Sequence, residues 1–252
     1  MIETTLIKLA QAVEAGSGKT VISKQLYWGL FASMIIVAVL GLAVFLGTYL
    51  KTISMKKKID KERKEATEKA VMDQKGSALG QIPEYIDKTF APNIDPLDRM
   101  QLINTIYLNR AKNVLLAGQD LENIYLSLTK MTLANIEVEE TGINEEIWNK
   151  GAMRNLEEIN SYPNYQDPEK TISYDLVYVI ESNLNSFEIF KKYYPQLRTD
   201  GMLVVIQNPS TKVDLKLLAK ELKQQQIRYE ISKNKAQFLY VIKMDETLNT
   251  NI

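Results

Sequence analysis

The sequence contains no cysteine and no histidine. The first absence removes disulfides, thiolate nucleophiles and thiolate metal sites together, and it fits a reducing compartment. The second removes Ser-His-Asp and Cys-His catalysis and every imidazole metal site. Carboxylates, Lys, Tyr and Asn are left to carry any chemistry. An excess of one charge is also missing. The 31 Lys plus Arg equal the 31 Asp plus Glu, so no global field draws the chain onto nucleic acid, and no such partner is expected. What is present, 45% hydrophobic and 25% charged residues, averages like a globular protein but is strongly segregated along the chain.

Between Lys24 and Lys51 there is no charged residue. At a rise of about 1.5 Å per residue, the run from Leu26 to Leu50 spans the ~30 Å hydrocarbon core of a bilayer with some tilt. Tyr27 and Trp28 at one end and Tyr49 at the other are placed like interfacial aromatics. A cleaved signal peptide is the competing reading. The apolar run is too long for one, and no small-residue cleavage site follows it before the lysines. Lys51, Lys56, Lys57, Lys58, Lys61, Arg63 and Lys64 follow the run, against Lys8, Lys19 and Lys24 before it. The positive-inside rule then predicts a single-pass protein of the cell membrane, with residues 1–24 outside and the C-terminal part in the cytoplasm. The same basic cluster also suits anionic headgroups of the lipid bilayer. Gly16-Ser17-Gly18-Lys19-Thr20 resembles the end of a P-loop, but position 13 is Val13 rather than glycine and no buried strand precedes it. It reads as a flexible break.

The run KKKIDKERKEATEKAVMDQK from Lys56 to Lys75 pairs opposite charges three or four apart and has little apolar content. Residues 51–75 are thus predicted to be a solvated helical stalk. Residues 76–111 form a linker and a docking helix. Asp95 caps that helix, Pro96 is its first residue, and Met100, Ile103, Ile106 and Tyr107 share a face. Residues 112–244 alternate apolar runs with helical patterns, the signature of a mainly parallel α/β sheet. Strands are predicted at Asn113 to Ala117, Ile136 to Glu140, Asp175 to Ile180 and Met202 to Ile206. The third strand, between Leu156 and Gln166, has no clean apolar run. Ile227 to Ile231 and Ala236 to Met244 are too close for a crossover, so they are predicted to pair as an antiparallel hairpin at the sheet edge. Residues 245–252 are a tail.

The stretch YDLVYVIES, followed by FEIFKKYYPQLRTDGMLVVIQNP, a helix and a hairpin, resembles the second half of a Rossmann-like S-adenosylmethionine-dependent methyltransferase of the O-methyltransferase type. The resemblance rests on Tyr174-Asp175 before one strand, and on Leu197, a short linker and Gly201 before the next. It implies a cofactor, S-adenosylmethionine, bound by the loop Gly118-Gln119-Asp120 and by a ribose-binding acid, Glu139 or Glu140. Glu181 would bound the site. In this family the loop carries a second glycine, where this chain has Asp120. The places of the metal-ligating acids hold Glu181 and Gln207-Asn208, a poor Mg²⁺ set, so no metal is expected. Each position also has a plainer role. Gly118 serves a strand-to-helix turn, Glu139 and Glu140 are solvated, Glu181 caps the next helix, and Tyr162, Tyr165, Tyr193 and Tyr194 are packing and loop residues rather than a substrate cage.

Two functions follow. One is a membrane-anchored methyltransferase, whose chemistry needs little beyond in-line positioning. The other is a catalytically silent methyltransferase-like module, tethered to the inner membrane face to hold a protein partner.

Overall fold

The computed structural model of the protein describes residues 24–167, 173–207, 212–233 and 235–244. Residues 1–23 with the glycine-rich motif, part of the loop to Lys170, Asn208, Asn234 and the tail 245–252 lie outside these. The chain divides into two compact units, Met1–Glu62 and Arg63–Ile252.

Helix α1 runs Lys24–Lys75. From Phe31 onward it is long and apolar enough to cross a membrane, with a mean hydropathy of 2.4 and none of that window buried. Met34, Leu40, Val44 and Leu50 all stand exposed.

The second unit orders its elements α2 Glu84–Thr89, α3 Pro96–Leu108, β1 Asn113–Gly118, α4 Glu122–Met131, β2 Asn135–Val138 and α5 Glu145–Arg154. Then come β3 Tyr174–Ile180, α6 Ser186–Tyr193, β4 Leu197–Gln207, α7 Lys212–Gln224, β5 Tyr229–Lys233 and β6 Gln237–Ile242. One sheet holds all six strands in the order β2-β1-β3-β4-β6-β5. β1 pairs in parallel with β2 and β3, and β3 with β4. β6 inserts antiparallel between β4 and β5. The predicted mainly parallel sheet with an antiparallel C-terminal hairpin is thus the observed one. The unplaced third strand is reduced to a single parallel bridge, Val138 to Tyr165.

The strands read as near-continuous apolar runs because both faces are covered. Val114, Leu116, Leu176, Tyr178 and Ile180 pack on α3 and α4. Leu115, Ala117, Val177 and Val179 pack on α6 and α7. Asp175 explains its pairing with Tyr174. Its Oδ2 accepts from the amides of Lys112 and Asn113 at 2.6 and 2.9 Å, which fixes β3 to the start of β1.

Asp95 caps α3 as predicted, accepting from the Leu97 amide at 2.9 Å. Asp98, in that helix's first turn, is buried and accepts from the amides of Lys235 and Ala236, so α3 holds the turn of the hairpin. The solvated stalk needs one correction. Val71 is 1% exposed within the same core as Ile86 and Ile103, and Gln74 Nε2 donates to the Tyr107 carbonyl at 2.7 Å. A lone Val in a charged run sets up no apolar period, so its burial leaves little trace in the sequence.

Candidate functional site

From β1 the sheet grows to β2 on one side and to β3 and β4 on the other. The crevice beyond the carboxyl ends of β1 and β3 is therefore the point where strand order reverses, the usual ligand position in such sheets. Three residues with left-handed backbone meet there: Gly118 at φ 132°, Asp120 at φ 54° and Glu181 at φ 49°. A Cβ on Gly118 would lie 1.6 Å from the Ile180 carbonyl oxygen, so only glycine fits. Conformations of this kind cluster where a ligand or a tight turn demands them. The loop after β1 is also stitched to the loop after β2. The Leu121 amide donates to the Gly142 carbonyl at 2.9 Å, and Glu122 accepts from the Asn144 amide at 2.7 Å. Leu121 stands at the N-cap of α4 and provides no side-chain acceptor there.

Glu139 follows the last residue of β2 and is fixed from α6. Its Oε2 accepts from Tyr193 Oη at 2.9 Å, and its Oε1 pairs with Lys192 Nζ at 2.8 Å. Burial, reinforced by the Glu139 charge, pushes the Tyr193 phenol up to about 12, so it stays a donor. Two residues earlier, Glu137 accepts from Tyr174 Oη at 2.6 Å. Burial and that carboxylate raise the Tyr174 phenol as well.

The linker before α3 closes over the loop. Asn93 Nδ2 donates to the Asp120 carbonyl at 2.9 Å. Phe90 O accepts from Asn123 Nδ2 at 2.7 Å, and Asp87 engages Arg99 and Asn123. Asn93 Oδ1 is buried and accepts no hydrogen bond from the protein.

The fold is a Rossmann-like, mainly parallel α/β sheet. Its marks are the reversal between β1 and β3 and the antiparallel last strand lodged between β4 and β5. Among solved structures, the chain is similar to the O-methyltransferase TomG of Streptomyces achromogenes in complex with SAM, at 13% identity and TM-score 0.49, covering 65% of this chain and 91% of that one. It is similar to the O-methyltransferase of Bacillus cereus in complex with SAH, at 12% identity and TM-score 0.49, covering 71% and 97%. The SAM-dependent O-methyltransferase of Thermotoga maritima is similar at 12% identity and TM-score 0.49, covering 66% and 73%. No protein-family model and no curated protein matches the chain.

The crevice brings together Gly118, Gln119, Asp120 and Glu181, with Glu139 at the end of the neighbouring strand. Glu140 is exposed and starts a short 3-10 turn, so of the two candidate acids only Glu139 is held in place. Glu181 is not the helix cap its position suggested. Asn185 caps α6 with a reciprocal capping box through Glu188, and Glu181 stands free of that motif in the turn after β3. Tyr193, read from sequence as packing, is a partner of Glu139, and Asn93 reaches the loop from outside the α/β domain. No spacing rule announces either contact, because each joins residues far apart in the chain. Among the described residues no three Asp or Glu side chains are grouped to hold a metal.

Proposed function

We propose that the protein is a methyltransferase anchored in the cell membrane by α1, with its α/β domain in the cytoplasm, S-adenosylmethionine as cofactor, and an acceptor presented at the inner membrane face. The observation that carries this reading is the crevice itself: a loop that only glycine can turn and a fixed carboxylate one strand away.

The residues fit the cofactor. Glu139 would hold the ribose hydroxyls. A carboxylate has about four acceptor positions, and Tyr193 and Lys192 occupy two, so they orient the group without exhausting it. Gly118 and the turn to Asp120 would lie along the amino-acid part, whose carboxylate suits the N-terminal amides of α4. The bound cofactor supplies an activated methyl group. The chain's own work is to orient it in line with the acceptor and exclude water. The lipid bilayer is the partner of α1, with Lys51, Lys56, Lys57 and Lys58 suited to its anionic headgroups. The neutral charge balance gives no reason to expect nucleic acid.

A silent module holding a protein partner at the same membrane face is the second reading. It is favoured by Asp120 at the second-glycine position and by the prior engagement of Glu139. Calorimetric titration of the detergent-purified full chain with S-adenosylmethionine and S-adenosylhomocysteine separates the two. Saturable heat is expected. A well-folded protein that gives none at millimolar ligand would leave the silent module as the better account.

A further inference from the structure

The two edges of the sheet are finished differently. At β2 the chain covers its own edge, because the Val138 amide donates to the Asn164 carbonyl and the Gln166 amide to the Val138 carbonyl, each at 2.9 Å. At β5, among the described residues, nothing pairs with the outer side. The Arg228 carbonyl accepts from the Ile242 amide at 3.0 Å, so Arg228, Glu230 and Ser232 turn their backbone groups towards β6, and those of Tyr229, Ile231 and Lys233 point outwards. An open row of this kind is a template for another strand. At its centre stands an apolar side chain, Ile231, 41% exposed. On the other face the Arg228 guanidinium has no ion-pair or hydrogen-bond partner among the described residues, and Glu230 meets the exposed Arg63 at 3.2 Å.

We propose that the partner at this edge is a second copy of the chain, its β5 antiparallel to the first about a twofold axis through Tyr229. Such a contact must be self-complementary, and the available alignments differ in what they set face to face. With Ile231 on the axis, Glu230 faces the partner's Ser232 and Arg228 stays unpaired. With Glu230 on the axis, two carboxylates meet, which is destabilising. With Tyr229 on the axis, Arg228 faces the partner's Glu230, and Ile227 faces the partner's Ile231 on the opposite face of the sheet. This alignment alone pairs the free guanidinium while also covering the exposed isoleucine. It sets Arg228 and Glu230 at non-hydrogen-bonded positions, where cross-strand side chains come closest, and joins the outward backbone groups of the two copies of Tyr229. β6 and β4 lie between this edge and the crevice beyond β1 and β3, so the pairing leaves the crevice of each copy clear.

The absence of cysteine makes the test direct, since any introduced thiol is unique. The full chain in detergent, carrying Tyr229→Cys or Ile231→Cys, is oxidised mildly and the cross-linked dimer is read by non-reducing electrophoresis. Across the axis the two Cα atoms stand about 5.5 Å apart, within disulfide reach, so Tyr229→Cys should cross-link. Ile231→Cys should not, because its two copies are then offset by about four residues of strand, roughly 13 Å. Adding Arg228→Glu to Tyr229→Cys should slow cross-linking about tenfold, and adding Glu230→Arg should do the same. With both changes together the charges pair in reverse and the rate should recover. Cross-linking at position 231 in place of 229 would overturn the alignment, and equal cross-linking at both would reveal unspecific collision. None at either position would overturn the proposal in favour of an edge closed by the chain itself or by another protein. A rate at position 229 that ignores both charge reversals would overturn the pairing of Arg228 with the partner's Glu230.

Discussion

At Gly118 two demands coincide: a φ of 132° and an Ile180 carbonyl oxygen 1.6 Å from where a Cβ would stand. The second was not visible in the sequence, where Gly118 reads only as a turn after a buried strand. It makes Gly118 a poor probe of the cofactor, because any side chain attacks the β1–β3 junction before it reaches a ligand. Gly118→Ala should destabilise the fold by about 2–5 kcal/mol through strain and overpacking, and calorimetric melting would show this with or without ligand. An unchanged melting temperature would mean that the junction relaxes freely. Tyr193 offers a gentler probe. Its phenol ionises near 10.0 when unfolded and only at about 12 in the fold, so its neutral form stabilises fully below pH 10 and loses that contribution as pH rises towards 12. Tyr193→Phe should cost about 1 kcal/mol at pH 8, and denaturant curves of variant and wild type should converge across that alkaline window. A gap that stays constant would argue against the Glu139 bond.

The elements of the α/β domain were legible wherever burial on both faces forces an apolar run, as in β1 and β3, or where a turn leaves no room for a crossover, as between β5 and β6. The strand beside β2 was illegible because pairing there is confined to Val138 and Tyr165, bounded by bonds from the Val138 amide to the Asn164 carbonyl and from the Gln166 amide to the Val138 carbonyl, each 2.9 Å. One paired residue leaves no periodicity. Elements α2, α3 and α4 are joined through Arg99, which is 1% exposed and bonds Asp87, Asn123 and Ser127. The Arg99 guanidinium holds the Asp87 carboxyl below its usual range. Removing the cation leaves the buried Asn123 carboxamide without its donor while the exposed Asp87 carboxylate rehydrates, so Arg99→Ala should cost about 1–3 kcal/mol. It should also raise proteolytic sensitivity in residues 84–99 before the sheet is attacked. Simultaneous loss of the whole domain in limited proteolysis would refute a local role.

For the whole molecule, the uncharged run made a helix long and apolar enough to cross a membrane legible from composition alone, and α1 is such a helix, exposed along the run. The proposed orientation implies that alkaline carbonate leaves the chain in the membrane and that protease added to intact cells spares residues 51 onward; release, or digestion from outside, would refute it. The boundary of the folded module was harder to see, because the sequence from Lys56 to Lys75 reads as a helix satisfied by its own ion pairs. Among these are Lys58 with Glu62 and Lys64 with Glu68, both highly exposed and worth little. Val71 departs from that pattern, buried against the α/β core, with Gln74 bound to Tyr107 one turn later. A cut at Gly80, the natural choice from the glycines alone, would remove both contacts, whereas a cut at Arg63 keeps them. Burying a valine contributes about 1.5–3 kcal/mol and the hydrogen bond about 1 kcal/mol. A soluble fragment from Arg63 should therefore melt roughly 5–10 °C above one from Gly80, and Val71→Ala in the longer fragment should recover part of that difference. Equal melting temperatures for the two fragments would show that the last turns of α1 add nothing to the domain they touch.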